Sequence, residues 1–196
     1  MWTIGLSTGL IALIVVFVIV VIIVGFLINQ YNALVVLRNK VRNGFSQMDV
    51  QLKRRFDMIP NLVETVKGYA KHEESIFGEF ARARGLYAQA AKSGNLHEMA
   101  DADKGFTGAL SRLMVVSEQY PELKANTNFI ELMEQLKDTE NKISFSRQFY
   151  NDIVMKYNNQ IELFPSNIVA GMFNFKTAEF FEVSKKEERE AVKVQF

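Results

Sequence analysis

The chain lacks cysteine altogether, and no acidic or basic side chain precedes Arg38. The absence of cysteine excludes disulfide bonds and thiolate metal sites, and it leaves the redox compartment open. The chain also lacks a marked excess of charge, since the formal net charge is only +1. Nucleic-acid-binding proteins usually show a basic excess or stripe, so this balance argues against a nucleic-acid partner.

The uncharged N-terminal part contains a long apolar run. Residues 10–28 carry no charge, and as a helix they extend about 28 Å, which matches the hydrocarbon core of a bilayer. No positively charged segment precedes the run, and no A-x-A-like cleavage site follows it. These features favour an uncleaved membrane anchor over a cleaved signal peptide.

The basic residues nearest to the anchor all lie on its C-terminal side. Arg38, Lys40 and Arg42 follow the run within a short distance, and no basic residue lies on the other side. Basic residues flanking a span tend to stay in the cytoplasm. The sequence therefore predicts a single-pass protein whose soluble part faces the cytoplasm.

The apolar pattern continues beyond the anchor as a narrow stripe. Its members, three or four residues apart, are Leu34, Leu37, Val41, Phe45, Met48, Leu52, Phe56 and Ile59. This spacing is typical of a helix with one buried face, so we expect the anchor to continue directly into the first helix of a bundle. Pro60 interrupts that helix, either at a sharp turn or at a kink, because proline lacks the amide proton.

Three further helices are indicated by the same periodicity. The second carries Leu62, Val66, Tyr69, Ile76, Phe80, Ala83, Tyr87 and Ala90 in a heptad pattern interrupted only by Glu73. Gly94 ends it, and Asn95 is placed to cap a third helix, which stops at Tyr120-Pro121. The fourth helix is predicted from Phe129, with Asn128 as its cap, to about Leu163.

These elements predict an all-α fold. We expect an up-and-down four-helix bundle preceded by one N-terminal transmembrane helix that is continuous with the first bundle helix. The predicted organisation is a transmembrane anchor at 1–28, the bundle at 29–164, and a short helix with an extended aromatic tail at 165–196. The last residues, 192–196, alternate like a strand.

Several motifs together resemble the LemA family of bacterial membrane proteins. They lie at residues 31–35, 51–69, 120–126, 140–141, 150–151, 157–158 and 164–170. The resemblance covers residues 31–181, and it implies a four-helix bundle behind a single N-terminal span in the bacterial cytoplasmic (inner) membrane. It implies no reaction. It associates some members with magnetosome membranes and others with heat-shock-type membrane metalloproteases.

No catalytic or metal-binding motif is found. His72 adjoins two glutamates, but position 76 is Ile76 where a zincin would need a second histidine. The Glu-x-x-His pairs of a ferritin-like di-iron site, glycine-rich phosphate loops and nucleophile elbows are missing too. We therefore expect a protein that is not an enzyme and that has no cofactor. The tyrosines at 150 and 157 lie on one face of the fourth helix, where core packing with a satisfied hydroxyl is the expected role.

Charged residues within the apolar pattern are expected to build the bundle rather than to perform chemistry. We assign the bundle turn and a polar layer to Arg54, Arg55, Pro60, Glu73, Glu140 and Arg147. We expect these charged side chains either to form interhelical ion pairs that fix the register of the helices or to lie at the edge of the bundle. An enzyme with an unrecognised site would instead gather Glu73, Glu140, Arg147 and a tyrosine hydroxyl in one pocket.

The aromatic tail is the candidate surface for self-association. Its apolar members are Phe173, Phe175, Phe180, Phe181, Val192, Val194 and Phe196. They can pack back on the bundle, enter the interface of the same membrane, or contact a neighbouring copy. A lone terminal strand favours the last possibility, because its unpaired amides invite another chain.

The preferred hypothesis is a non-enzymatic, membrane-anchored helical scaffold that self-associates as a homo-oligomer and organises or remodels the membrane. Its expected partners are membrane lipids and further copies of itself. The alternative, which rests on the family resemblance, is an adaptor or accessory factor for a membrane protease.

Overall fold

The computed structural model describes residues 8–70 and 72–182, and within them the chain is helical without any strand. The helices are α1 (Thr8–Asp57), α2 (Ile59–Lys67), α3 (Glu74–Ser93), α4 (Leu96–Ser117), α5 (Pro121–Lys124), α6 (Thr127–Glu162) and α7 (Ser166–Met172). The all-α prediction is confirmed, and so is the continuity of the anchor with the first bundle helix, because α1 contains both. The predicted strand at 192–196 lies outside the described residues.

The chain divides into two compact units. We call the described residues up to Arg42 together with Ile153–Ala178 the anchor unit, and the described residues of Asn43–Asp152 together with residues 179–182 the bundle unit. The long helices α1 and α6 each contribute residues to both units.

Aromatic side chains hold the core of the bundle unit together. The ring of Phe56 on α1 stacks on Tyr87 of α3, with 4.3 Å between their centroids. The ring of Phe106 on α4 lies 5.8 Å from Phe56 and 5.4 Å from Phe80. Phe45 and Tyr150 join α1 to α6 at 6.1 Å. Contacts of this kind among four helices confirm the predicted up-and-down bundle.

Pro60 marks a kink rather than a sharp turn. Met58 keeps right-handed helical angles, and the amide of Leu62 donates to the Met58 carbonyl at 3.0 Å. Pro60 lies at the start of α2, where a missing amide proton leaves no helical hydrogen bond unmade.

The prediction of one continuous second helix is wrong. It is divided into α2, which ends at Lys67, and α3, which begins at Glu74. Gly68 follows α2 directly, and glycine lowers helix propensity by about 1 kcal/mol relative to alanine. Glu73 takes non-helical angles as the residue before α3. The single polar interruption of the heptad therefore lies in a connection, not on a helix face.

The predicted helix caps are confirmed in one place and shifted in another. Gly94 adopts a left-handed conformation with φ of 70°, and the side chain of Asn95 accepts a hydrogen bond from the amide of Glu98 at 3.1 Å. For the last long helix the capping side chain is Asn126 rather than Asn128, because Asn126 accepts from the amide of Phe129 at 3.0 Å. The helix accordingly begins two residues earlier than predicted.

The anchor unit combines the exposed apolar part of α1 with a smaller packed region. The large apolar side chains at 10–24 are 45–68% exposed, and this part of α1 is long and apolar enough to cross a membrane. Near its end, the side-chain amide of Gln160 on α6 donates to Gln30 Oε1 at 3.0 Å. Leu34, Tyr157 and Val169 are buried in this unit.

Candidate functional site

A buried arginine forms the centre of the polar layer in the bundle unit. Arg55 is 1% exposed, although it lies on the amphipathic part of α1 next to the core residue Phe56. Its Nη1 donates to Asp103 Oδ1 at 2.6 Å, and its Nη2 donates to Thr107 Oγ1 at 3.0 Å. The guanidinium also lies 4.3 Å from the centre of the Phe106 ring. One face of α4 thus supplies a carboxylate, a hydroxyl and an aromatic face to the same side chain.

Two carboxylates share this arginine. Glu140 Oε2 on α6 lies 2.6 Å from Arg55 Nη1, without the orientation of a hydrogen bond. Burial raises the pKa of the Asp103 carboxyl, and the neighbouring Arg55 charge opposes that rise. The layer links α1, α4 and α6.

A cavity of about 490 Å³ opens beside the layer. Its polar lining comprises Asp103, Lys104, Thr107, Ser111, Glu140 and Arg147, with Phe181 and Glu182 from the tail. The arrangement expected of an unrecognised enzyme is not seen there, because neither Glu73 nor a tyrosine belongs to the described lining. Among residues 8–70 and 72–182, no group of three or more His, Cys, Asp or Glu side chains could hold a metal ion.

The residues assigned to the turn and polar layer are thus only partly brought together. Arg55 and Glu140 meet, and Arg147 lines the adjoining cavity. Arg54 is exposed, and Glu73 is half-buried, accepting from the Tyr120 hydroxyl at 3.5 Å. The shared role given to these residues stays a prediction.

Asp103 is the member of the layer that sequence reasoning missed. It lies four residues after Met99 and three before Phe106, both of which are buried. A carboxylate in a core position of an apolar stripe was the available signal, and it predicts a buried cationic partner on another helix.

Two asparagines hold the tail by its backbone. In the anchor unit, Asn158 Oδ1 accepts from the amide of Ala178 and its Nδ2 donates to the Ala178 carbonyl, both at 2.9 Å. In the bundle unit, Asn151 forms the same pair of bonds with Phe181, at 2.9 and 3.2 Å. At each position the side-chain amide therefore makes the two backbone hydrogen bonds that a neighbouring strand would make in a sheet. Sequence reasoning did not predict this arrangement. The available signal was the repeat of the Tyr-Asn pair after seven residues, which places both asparagines on one face of α6.

The tyrosines of these two pairs are buried as expected, and a partner for the hydroxyl is seen for Tyr150. Tyr150 and Tyr157 are both buried. The Tyr150 hydroxyl donates to the Glu179 carbonyl at 2.8 Å, so its polar end is satisfied within the bundle unit. Burial raises the pKa of Tyr150 to about 12.

Two of the tail aromatics contact side chains of the anchor unit. In the anchor unit the rings of Phe173 and Phe175 lie 4.7 and 5.7 Å from Tyr31, and Arg38 lies over Phe175. Phe181 is buried, whereas Phe180 is partly exposed. Val192, Val194 and Phe196 lie outside the described residues. Self-association through these seven residues stays a prediction.

A different aromatic surface of the bundle unit is exposed. Phe145 on α6 is 74% exposed, and Phe149 and Val50 are also largely exposed. A groove of about 490 Å³ adjoins them, lined by Gln47, Val50, Gln51, Asn141, Lys142, Phe145 and Ser146. We call these seven residues and Phe149 the Phe145 face. Sequence reasoning missed it because Phe145 and Phe149 lie off the buried stripe of the fourth helix.

Comparison with known proteins identifies a family and several relatives of similar sequence. Residues 44–196 match the sequence model of the LemA family. The chain is 30% identical over 186 residues to magnetosome protein MamQ 2 of Paramagnetospirillum magneticum, covering 83% of this chain and 68% of that protein. It is 28% identical over 178 residues to magnetosome protein MamQ of Magnetospirillum gryphiswaldense, with coverage of 79% and 65%. Protein LemA of Metamycoplasma hominis is 24% identical over 162 residues, with coverage of 82% and 72%.

Proposed function

The chain belongs to the LemA family, and from that premise we propose that it is a non-enzymatic, membrane-anchored helical scaffold that self-associates and organises or remodels its membrane. The family match confirms the resemblance seen in the motifs. The apolar part of α1 supplies the single span. We further propose that the protein lies in a bacterial cytoplasmic membrane with the bundle in the cytoplasm, since Arg38, Lys40 and Arg42 follow the span.

The Phe145 face is the observation that supports self-association. It combines exposed aromatic and aliphatic side chains with amides and a serine, and Lys142 is its only charged member. Protein interfaces have this composition at their centre, where aromatic residues are enriched and charges are depleted. Val50, Phe145 and Phe149 are its exposed apolar side chains, and exposed apolar side chains rimmed by polar ones mark interaction sites.

The membrane-organising part of the proposal is supported by the relatives. Two of them are named as magnetosome proteins. An anchored chain that assembles through a lateral face gathers its spans into one area of bilayer, and this is how a scaffold without chemistry acts on a membrane.

The mass of the assembly tests the proposal. We expect the full-length protein to exceed the monomer mass in detergent and in lipid nanodiscs, and Phe145→Glu to reduce that mass to the monomer, because the aromatic contact is lost and a carboxylate is costly to desolvate in an interface. Ile130→Glu is the matched control: it changes an exposed apolar residue of the same helix outside the groove, and it should leave the mass unchanged.

A monomer in both detergent and lipid would contradict self-association, and so would Phe145→Glu protein of unchanged mass. A photo-crosslinking residue at position 145 in cells separates the two partner classes. A dominant self-product supports the scaffold. A dominant product with a membrane protease overturns it in favour of an adaptor.

A further inference from the structure

A second exposed apolar surface lies in the anchor unit, where the chain leaves α6 and forms α7. Its members are Leu163, Phe164, Ile168, Met172 and Phe173, which are 62%, 78%, 53%, 64% and 52% exposed. We call this set the α7 edge. Val169 and Ala170 of the same helix are buried, so α7 has a packed side of small residues and an outward side of large ones.

The sequence around the α7 edge is nearly free of charge. Glu162 is the only charged side chain between Lys156 and Lys176. Apolar side chains bounded by lysines are typical of helices that lie in a membrane interface, where the ammonium groups reach the lipid headgroups.

Contacts within the anchor unit place the α7 edge level with the end of the span. Gln160 precedes the edge by a few residues and is hydrogen-bonded to Gln30 at 3.0 Å. Phe173, at the other end of the edge, lies 4.7 Å from Tyr31 between ring centroids. Gln30 and Tyr31 follow the apolar run directly, and Tyr31 lies only about 5 Å along the helix beyond Ile28. Both ends of the edge are therefore held at the membrane–water boundary of α1.

We propose that the α7 edge is a second contact with the bilayer that α1 spans. Leu163, Phe164, Ile168, Met172 and Phe173 insert between the headgroups and the upper acyl chains of the leaflet next to the bundle. The inference rests on one part of the proposed function, the membrane span, and does not require self-association. The occupant is lipid rather than another protein because Gln30 and Tyr31, which the two ends of this segment contact, lie just beyond the apolar span.

A second contact with the bilayer limits the orientations that the anchor can take in the membrane. A single helix can rotate and tilt freely, whereas a helix with an apolar side contact presents one defined face to the leaflet. Insertion of α7 also adds volume to one leaflet only. The α7 edge thereby supplies a physical route by which the scaffold biases membrane curvature.

The cysteine-free chain allows a direct test with site-directed spin labels. Single cysteines at Phe164, Ile168 and Met172 are labelled in the full-length protein, which is reconstituted in vesicles of phosphatidylcholine and phosphatidylglycerol. The accessibility of each label to oxygen and to a water-soluble nickel chelate reports its depth. A cysteine at Ile19 is the control within the span, and a cysteine at the exposed bundle residue Glu134 is the control in water.

We expect the ratio of oxygen to nickel accessibility at the three α7 positions to be several-fold higher than at Glu134 and lower than at Ile19. Ratios equal to that at Glu134 would overturn the inference while leaving the scaffold proposal intact. Low accessibility to both reagents would overturn it in favour of a protein contact, such as a second copy. A water-like ratio at Ile19 would refute the span itself, and with it both proposals.

A substitution provides a second test. Ile168→Asp combined with Met172→Asp should return a label at Phe164 to the accessibility of Glu134, because two carboxylates oppose insertion. Asn167→Asp adds a charge at an exposed polar position of the same helix and is expected to have a weaker effect. Melting in detergent shows whether the double variant is folded, and a folded double variant whose Phe164 label keeps its depth contradicts the inference.

Discussion

The two units of the molecule differ in the charge of the side chains that they bury. The bundle unit buries the charged side chains of Arg55 and Asp103. In the described part of the anchor unit, all buried side chains are uncharged, namely those of Leu34, Val41, Ile153, Val154, Tyr157, Ser166, Val169 and Ala170. In the anchor unit, the neutral side-chain amide of Asn158 forms hydrogen bonds with the backbone amide and carbonyl of Ala178 in the tail.

The two kinds of buried group differ in the cost of their desolvation. A buried ion pair costs desolvation energy and is tolerated only when its partners are well placed, so it penalises every other register. Neutral amides and rings cost less to desolvate and tolerate small displacements. Such contacts suit the unit that contains the membrane anchor, because charges are expensive near hydrocarbon.

The largest effect is expected from removing the arginine of the bundle unit. Arg55→Met leaves Asp103 and Glu140 without their shared cation, and we expect the free energy of unfolding to fall by about 3 kcal/mol. Chemical denaturation measures this. Arg54→Met is the matched control: it removes the exposed neighbouring arginine, and it should change stability by less than about 0.5 kcal/mol. If the two substitutions had equal effects, the buried ion pairs of Arg55 would not contribute specially to the stability of the bundle unit.

The same variant has an expected pH dependence. Burial raises the pKa of Asp103 and Arg55 opposes the rise, so the pKa is higher still in Arg55→Met. The native carboxyl then keeps its proton at pH values where the unfolded chain, with a pKa of about 3.9, has lost it. The stability of the variant therefore falls as the pH rises above about 4, and its deficit should be smaller at about pH 5 than at about pH 7. A deficit that is constant or larger at low pH would contradict this assignment.

A smaller effect is expected in the anchor unit. Asn158→Ala removes both hydrogen bonds to Ala178, and we expect a loss of about 1–2 kcal/mol together with faster hydrogen exchange of the Ala178 amide. Asn159→Ala, at the exposed adjacent position, should leave that exchange rate unchanged. If Asn158→Ala also leaves the rate unchanged, the side-chain amide does not hold the tail.

The smallest effect is expected from the Tyr150 hydroxyl, one of the neutral polar groups buried in the bundle unit. Tyr150→Phe loses the hydrogen bond to the Glu179 carbonyl, and we expect a loss of about 1 kcal/mol at about pH 8. Burial raises the pKa of Tyr150 to about 12, whereas an unfolded tyrosine titrates near about 10. The contribution of Tyr150 is therefore complete below about pH 10 and is lost as the pH rises towards about 12.

The difference between wild type and Tyr150→Phe should consequently shrink at about pH 11, which denaturation at the two pH values measures. Absorbance of the phenolate reports the titration itself. A difference that stays constant between the two pH values would show that the Tyr150 hydroxyl titrates as it does in the unfolded chain.

Much of the bundle could be predicted because helices are governed by near neighbours in the sequence. The stripe through Leu52 and Phe56 indicated which side of α1 is buried, and both residues are buried. The left-handed Gly94 and the cap at Asn95 depend on local backbone groups and were predicted as well. The split between α2 and α3 was missed because the heptad continues through Gly68 and conceals the break.

The polar layer was predicted only in part, since the pairing of charges depends on which helices come together. Arg55 and Glu140 were selected as polar interruptions, but so were Arg54, which is exposed, and Glu73, which lies before α3. Asp103 was not selected. A one-dimensional pattern shows that a charge lies near an apolar stripe, but not whether a partner is within hydrogen-bonding distance.

The sequence by itself determined the anchor, the amphipathic helices and most of their caps, because these depend on hydrophobic periodicity and on backbone groups a few residues apart. Only the tertiary structure decided which partners Arg55 receives, how Asn151 and Asn158 hold the tail, and which aromatics stay exposed at Phe145 and along α7. These outcomes depend on contacts between residues far apart in the chain. Two side chains of equal polarity can therefore differ in burial and in partners, because the packing of the helices decides which of them meets another residue.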